Sequence, residues 1–175
     1  FFFEIDDKNP ENYDTTRDVL FSKIKFKEEI INIFVAHLPS KREKDINQPK
    51  RDYILSEIRS KILQIVNVDK ENVILCGDFN EDPDGEILTK ILFDDNHEKM
   101  LENPFQSLYS NNNYSAFHYK SGLLFDQILL SQSFFKTDSR LEFHSANICK
   151  WEKIRSRYKM YSDRPFRTYA GTRYL

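Results

Sequence analysis

Asp78 and Asn80 stand two residues apart at the end of an apolar run, Val73-Ile74-Leu75-Cys76, which Gly77 closes and which Pro83 and Gly85 follow. In an extended chain alternate side chains share one side, so a carboxylate and an amide would project together while Phe79 turns back into the core. Oxygen-rich groups converging on one small volume suit a hydrated cation, a water or a phosphate. The plainer reading is a strand followed by an Asx-rich turn. A calcium loop fits less well: Asp78, Asn80 and Asp82 match its first, third and fifth places, but Pro83 takes the glycine place and Thr89 the place of the bidentate Glu.

Two more polar groups interrupt or end apolar runs. His37 closes Ile30-Ile31-Asn32-Ile33-Phe34-Val35-Ala36, and Asp126 lies within Leu123 to Ser131. A His in that place is either a hydrogen-bonded structural residue or one poised near neutral pH for chemistry at a strand end. A lone Asp in an apolar strand must be paired, hydrogen-bonded or face a cavity, unless the strand lies at an edge.

The elements that carry these residues follow from periodicity. Residues 1–5 read as a strand and Asp6 to Asp14 as a turn-rich connection. Arg17 to Phe26, whose second half alternates, predicts a strand with one wet face, and with Ile30 to Ala36 it predicts an antiparallel hairpin turning at Glu28-Glu29. From Asn47 to Asp69 the pattern is helical, with Asn47 as N-cap, Pro49 in the first turn, and Ile54, Ile58, Ile62 and Ile65 on one face. Val73 to Cys76 predicts a strand buried on both faces, and Asp84 to Phe93 a short helix. Asp94 to Ser115 reads as loop with a possible helical turn, Leu123 to Ser131 as one strand, and Arg140 to Lys150 as another. Lys41, Arg42, Lys44, Lys50 and Arg51 form either a solvated surface or a path for a phosphate backbone. His97, His118 and His144 have no ligand-like spacing and read as surface or structural residues.

The chain has 175 residues, 39% of them hydrophobic and 14% aromatic, with few Gly or Pro, which predicts a single globular domain with a sizeable core. A formal net charge of −2 argues against a general polyanion binder, so affinity for nucleic acid would have to come from local basic patches. Two cysteines are too few for a disulfide framework, and no apolar run approaches membrane-spanning length. Nothing in the residues indicates a compartment. The aromatic start at Phe1-Phe2-Phe3 and the end at Tyr174-Leu175 suggest a fragment.

Taken in order, His37, Asp78 with Asn80, and Asp126 resemble the conserved motifs of the endonuclease/exonuclease/phosphatase superfamily of DNase I-like enzymes. Ala36-His37-Leu38-Pro39-Ser40 is similar to its N-H-W-P-S motif, with Ala and Leu replacing Asn and Trp. Gly77-Asp78-Phe79-Asn80 with Pro83 is similar to its G-D-F-N-x-x-P signature, the most specific of the set. Leu124-Phe125-Asp126-Gln127-Ile128-Leu129-Leu130-Ser131 resembles its L-D-[HQ]-I-L-x-S strand, and Arg17 resembles the arginine before the His strand. The family's upstream Asn and metal-binding Glu have no counterpart here. Ser162-Asp163-Arg164-Pro165 lacks the His of the closing S-D-H motif, and Arg164 to Thr172 resembles a segment that precedes the true one.

The resemblance implies an α/β (α+β) fold: a four-layer sandwich of two packed mixed β-sheets flanked by helices, DNase I-like and incomplete, with residues 1–175 forming one partial domain. It implies a metal-dependent phosphoesterase using Mg2+ or Mn2+, with His37, Asp78, Asn80 and Asp126 as catalytic residues. Arg17, Asn80 and His37 would bind substrate, and Asp78 and Asn80 would hold metal. Expected partners are phosphate esters (nucleic acid, nucleotide, inositol phosphate or phospholipid headgroup), with the protein a monomer. Without the missing Glu and His this piece is expected to be weak or inactive. The alternative is a non-catalytic remnant that binds phosphate or nucleic acid.

Overall fold

The computed structural model describes residues 17–42, 44–157, 159–161 and 164, with the backbone of two short strand pairs near the ends. Those pairs are β1 (Glu4–Ile5) with β2 (Asp14–Thr15), and β10 (Tyr169–Ala170) with β11 (Arg173–Tyr174), both antiparallel. The rest of the expected strand 1–5, most of the Asp6 to Asp14 connection, Ser162-Asp163, and most of Arg164 to Thr172 lie outside the described residues.

The expected hairpin is present. β3 (Leu20–Phe26) pairs antiparallel with β4 (Glu29–His37), and the chain turns one residue earlier than expected, through Lys27 with φ 54°. After β4 the chain crosses through α1 (Lys44–Gln64) and a π-helical turn (Ile65–Asp69) to β5 (Asn72–Asp78), which lies parallel to β4. A parallel neighbour requires such a crossover. Then follow α2 (Glu86–Ile91), β6 (Leu101–Glu102), α3 (Phe105–Ser110), the hairpin β7 (Ala116–His118) with β8 (Ser121–Leu123), and β9 (Asp126–Ser131). The main sheet is mixed, in the order β3-β4-β5-β9-β6. This is the expected α/β DNase I-like class of architecture: a five-stranded mixed sheet with helices and small two-stranded sheets.

The core lies on one face of the main sheet. Phe34, Ala36, Val73, Leu75 and Leu129 point to that face and meet Ile54, Leu55, Ile58 and Ile62 of α1 and Ile87, Leu88 and Ile91 of α2. Each Val, Leu, Ile or Phe among them contributes about 1.5–3 kcal/mol of burial. The helix stripe is as the spacing predicts, but the helix starts at Lys44, and Asn47 lies inside it with its amide donating to the Arg42 carbonyl oxygen.

Several expectations are corrected. β5 is not buried on both faces: Val73 and Leu75 are buried, whereas Ile74 and Cys76 on the other side are half-buried. β3 is exposed along its whole length, because it is an edge strand and the helical layer does not cover it. Leu123 to Ser131 is divided between two strands, β8 and β9, and Asp126 opens the second one rather than interrupting a single run; it pairs with Asp78 of β5, while β6 pairs only with Leu130 and Ser131 of β9. Residues 140–150 form no strand, and Asp94 to Ser115 adds the short β6 to the expected helical turn, which is α3.

Gly77 is where β4 and β5 come closest. Its φ is 142°, and a Cβ added there would lie 1.8 Å from the Ala36 carbonyl oxygen. Ala36 and Gly77 are register partners, one step before His37 and Asp78. Gly77→Ala should therefore destabilise the fold by about 3 kcal/mol or more, from overpacking plus backbone strain. Urea unfolding measures this, and a loss below ~1 kcal/mol would contradict the close approach.

Candidate active site

His37, Asp78 and Asp126 are register partners on three adjacent strands. His37 pairs with Asp78 across β4 and β5, and Asp78 with Asp126 across β5 and β9. Paired residues of neighbouring strands point to the same face. The three side chains thus form a row at one end of the sheet, on the face away from α1. His37 Nε2 lies 3.6 Å from Asp78 Oδ2, an electrostatic neighbour beyond hydrogen-bond distance. Backbone pairing runs on past the strand ends: Leu38 N donates to Asp78 O at 2.9 Å and Phe79 N to Phe125 O at 2.9 Å.

Asn80 reaches the row differently from expectation. The extended conformation stops at Asp78, and Asn80 has φ 47°, so the two side chains do not share a face by simple alternation. Asp78 Oδ1 accepts the Asn80 backbone N–H at 2.9 Å, an Asx turn, and the turn swings the Asn80 amide toward β4. There its Nδ2 donates to Leu38 O at 2.9 Å, and Arg17 Nη1 donates to the same oxygen at 3.3 Å. The plain turn and the polar site are one structure. All five sequence-selected residues meet around His37, Leu38 and Asp78.

The largest fully buried side chain is Arg51, one of the residues read as surface or phosphate path. Its Nη1 donates to Pro39 O at 2.7 Å and Phe79 O at 3.1 Å, and its Nη2 to Glu81 Oε2 at 2.6 Å. One guanidinium thus ties the loop after His37 to the loop after Asp78. Glu81, itself buried, also accepts from Lys41 through Oε1 at 2.5 Å. Burial pulls the Arg51 guanidinium below its usual pKa, and the Glu81 charge opposes that shift. Gly85 leaves room for this arrangement, since a Cβ there would meet Glu81 Oε1 at 2.1 Å.

From the other side, Gln127 Nε2 donates to Glu81 O at 2.7 Å and Leu124 O at 2.8 Å, while its Oε1 accepts from Asn103 at 2.8 Å. Asp82 Oδ1 accepts Leu124 N at 2.9 Å. At the far end of the sheet Ser131 Oγ accepts Val73 N at 2.9 Å. Sequence reasoning missed Arg51, Glu81 and Gln127 as organisers. Arg51 carried a signal: it stands three residues before Ile54 on the apolar stripe of α1. Glu81 carried none that separates it from a solvated acid.

Loss of hydration raises the Asp126 pKa above the ordinary carboxylate value, the neighbouring Asp78 charge adds to that rise, and His37 opposes it. Burial likewise raises Asp82. The Asp78 carboxylate and the Asn80 amide oxygen are hard oxygen donors of the kind Mg2+ takes, and that ion is commonly held by only one or two carboxylates. Among the described residues, no three His, Cys, Asp or Glu side chains gather as a metal cluster. The chemistry of these oxygens suits a divalent ion.

Residues 2–175 match the sequence model described as "Endonuclease/Exonuclease/phosphatase family". Among solved structures, the human Nocturnin catalytic domain with bound sulfate is 18% identical, with TM-score 0.48, over 74% of this chain and 48% of that one. TDP2 from Caenorhabditis elegans is 14% identical, with TM-score 0.49, over 75% and 39%. The Xenopus laevis APE2 catalytic domain is 16% identical, with TM-score 0.48, over 66% and 46%. The chain spans less than half the length of each of these structures. No curated protein matches it in sequence.

Glu81→Ala leaves Arg51 buried without its anion and should cost about 3–5 kcal/mol in denaturant unfolding, whereas the joint change Arg51→Met with Glu81→Leu should cost far less. Similar losses for the two would mean that the pair is not what stabilises the loops. Asp126 has a folded-state pKa above its unfolded value, so the stability linked to it is full below the unfolded pKa and is lost as pH rises through the folded one. In chelator, Asp126→Asn should therefore raise the melting temperature at pH 8 more than at pH 4. An equal or opposite effect would overturn the assigned cause.

Proposed function

Because the chain belongs to the endonuclease/exonuclease/phosphatase family, we propose that it contributes to a site that hydrolyses phosphate esters by attack of water, with Mg2+ or Mn2+ as cofactor. The observation that carries this reading is the His37–Asp78–Asp126 row across three paired strands, with Asn80 and Arg17 converging on Leu38 O beside it. Asp78 orients or deprotonates the water, and its distance from His37 Nε2 leaves both groups open to a ligand. His37 donates to a non-bridging phosphate oxygen, Asn80 holds the phosphate, and Arg17 adds a charged contact. Asp126, the register partner of Asp78, assists at the leaving oxygen.

Asp78 and the Asn80 amide oxygen would hold the metal, which would offset charge building on the phosphate. The Arg51 fork keeps the loops after His37 and Asp78 at fixed separation, so that these groups need not reorganise around a substrate. A non-catalytic protein binding a phosphorylated partner through the same residues is the second reading, and the network favours it no less, since a rigid polar row also suits binding.

Hydrolysis of a generic phosphodiester with and without Mg2+ separates the two readings. In the protein that carries this chain, Asp78→Ala should lower the metal-dependent rate at least ~100-fold, the scale of losing a group active in the transition state. Phosphate binding with no turnover, or turnover indifferent to Asp78→Ala, would overturn the enzyme reading.

A further inference from the structure

The basic residues are not spread evenly. Lys150 to Arg164 contains six Lys/Arg and two Asp/Glu, in a chain whose net charge is −2. Within that stretch the only tryptophan of the chain, Trp151, is 73% exposed, and Tyr119 at the tip of the β7–β8 hairpin is 82% exposed. Exposing rings of this size to water is costly, and here the two stand close to Lys120 and Lys153 in the sequence. Lys120 and Lys153 are exposed and have no acidic partner among the described residues.

Hydrogen bonds join the hairpin and the basic stretch into one surface. Arg164 Nη1 donates to Tyr119 O at 2.8 Å, its guanidinium stacks 4.7 Å from the Phe117 ring centroid, and Ser156 N donates to Arg164 O at 2.9 Å. Arg155 Nε donates to Lys150 O at 2.6 Å, and Lys150 Nζ to Asn113 Oδ1 at 3.0 Å. The surface also runs up to the polar row. Asn147, Ile148 and Cys149 line a cavity of about 320 Å³ together with Asp126, and Lys150 is the next residue.

We propose that Tyr119, Lys120, Lys150, Trp151 and Lys153 form a binding surface for single-stranded nucleic acid, leading away from Asp126. The chemistry on the surface selects this partner: cations spaced along a backbone hold phosphates, and flat exposed rings stack on unpaired bases of any sequence. A phosphate monoester or small headgroup would use the cations but leave Trp151 and Tyr119 in water. The placement next to Asp126 rests on the phosphoesterase reading and narrows its substrate to a polynucleotide strand. The binding itself does not depend on hydrolysis.

Trp151 supplies the probe, since all tryptophan emission comes from this surface. With the whole chain in EDTA, where a metal-dependent reaction cannot consume the strand, an eight-residue oligothymidylate should quench that emission. Affinity should fall with salt on a log–log slope of about −2, as three phosphate contacts require at ~0.7 each. The Lys120→Glu, Lys153→Glu double variant, altered only at exposed positions, should bind at least tenfold more weakly with an unchanged circular dichroism spectrum. An oligonucleotide that leaves Trp151 emission unchanged overturns the proposal, as does one that binds the double variant equally. A blue shift with vesicles of anionic phospholipid, in the absence of oligonucleotide quenching, would assign the surface to a membrane instead. Activity on a small phosphodiester without oligonucleotide binding would retain the phosphoesterase reading and discard this one.

Discussion

The Arg51 guanidinium is the contact on which the site's shape depends. It is fully buried, and it reaches a carbonyl in each of the loops that follow His37 and Asp78, together with the Glu81 carboxylate. A buried charge is tolerated only when paired and hydrogen-bonded, so the loops must adopt positions that satisfy it. α1 therefore has two tasks that one stripe serves: Ile54, Ile58 and Ile62 cover the sheet, and Arg51 extends the same face to the strand ends.

The two faces of the sheet follow from this division. The face against α1 and α2 is closed and mostly apolar, with Asn32, Gln127 and Ser131 buried in it. The opposite face carries the polar row at one end and side chains such as Val35 and Ile128 that are substantially exposed. Gly77 mediates between them: without a Cβ it lets β4 and β5 approach, and that approach brings His37 level with Asp78. The G-D-F-N signature thus combines a packing residue, a polar residue, a core anchor and a turn residue in four consecutive positions.

Much of the fold was legible in the sequence because its signals are local. The β3–β4 hairpin shows as two apolar runs around a short polar turn, and the helix as isoleucines at spacings of four, four and three. His37, Asp78 and Asp126 were conspicuous because each is a polar group where an apolar strand begins or ends. The misreadings came from places where a non-local partner decides. β6 is too short to announce itself, whereas α3 is the helical turn that the stretch allowed. β8 and β9 merge in sequence because Leu124 and Phe125 are apolar, although the chain breaks its ladder there to let Asp82 accept Leu124 N.

By itself the sequence singled out His37, Asp78, Asn80 and Asp126 as candidates and located most of the strands and the helix that carry them, since residue type and periodicity are properties of a few neighbouring positions. Only the tertiary structure decided that His37, Asp78 and Asp126 share one register row, that Asn80 joins them through a left-handed turn, and that Arg51 points inward rather than to solvent. Register is set by pairing between strands dozens of residues apart, and an arginine is drawn inside only where assembled loops present carbonyls and a carboxylate to receive it. No local pattern contains that information.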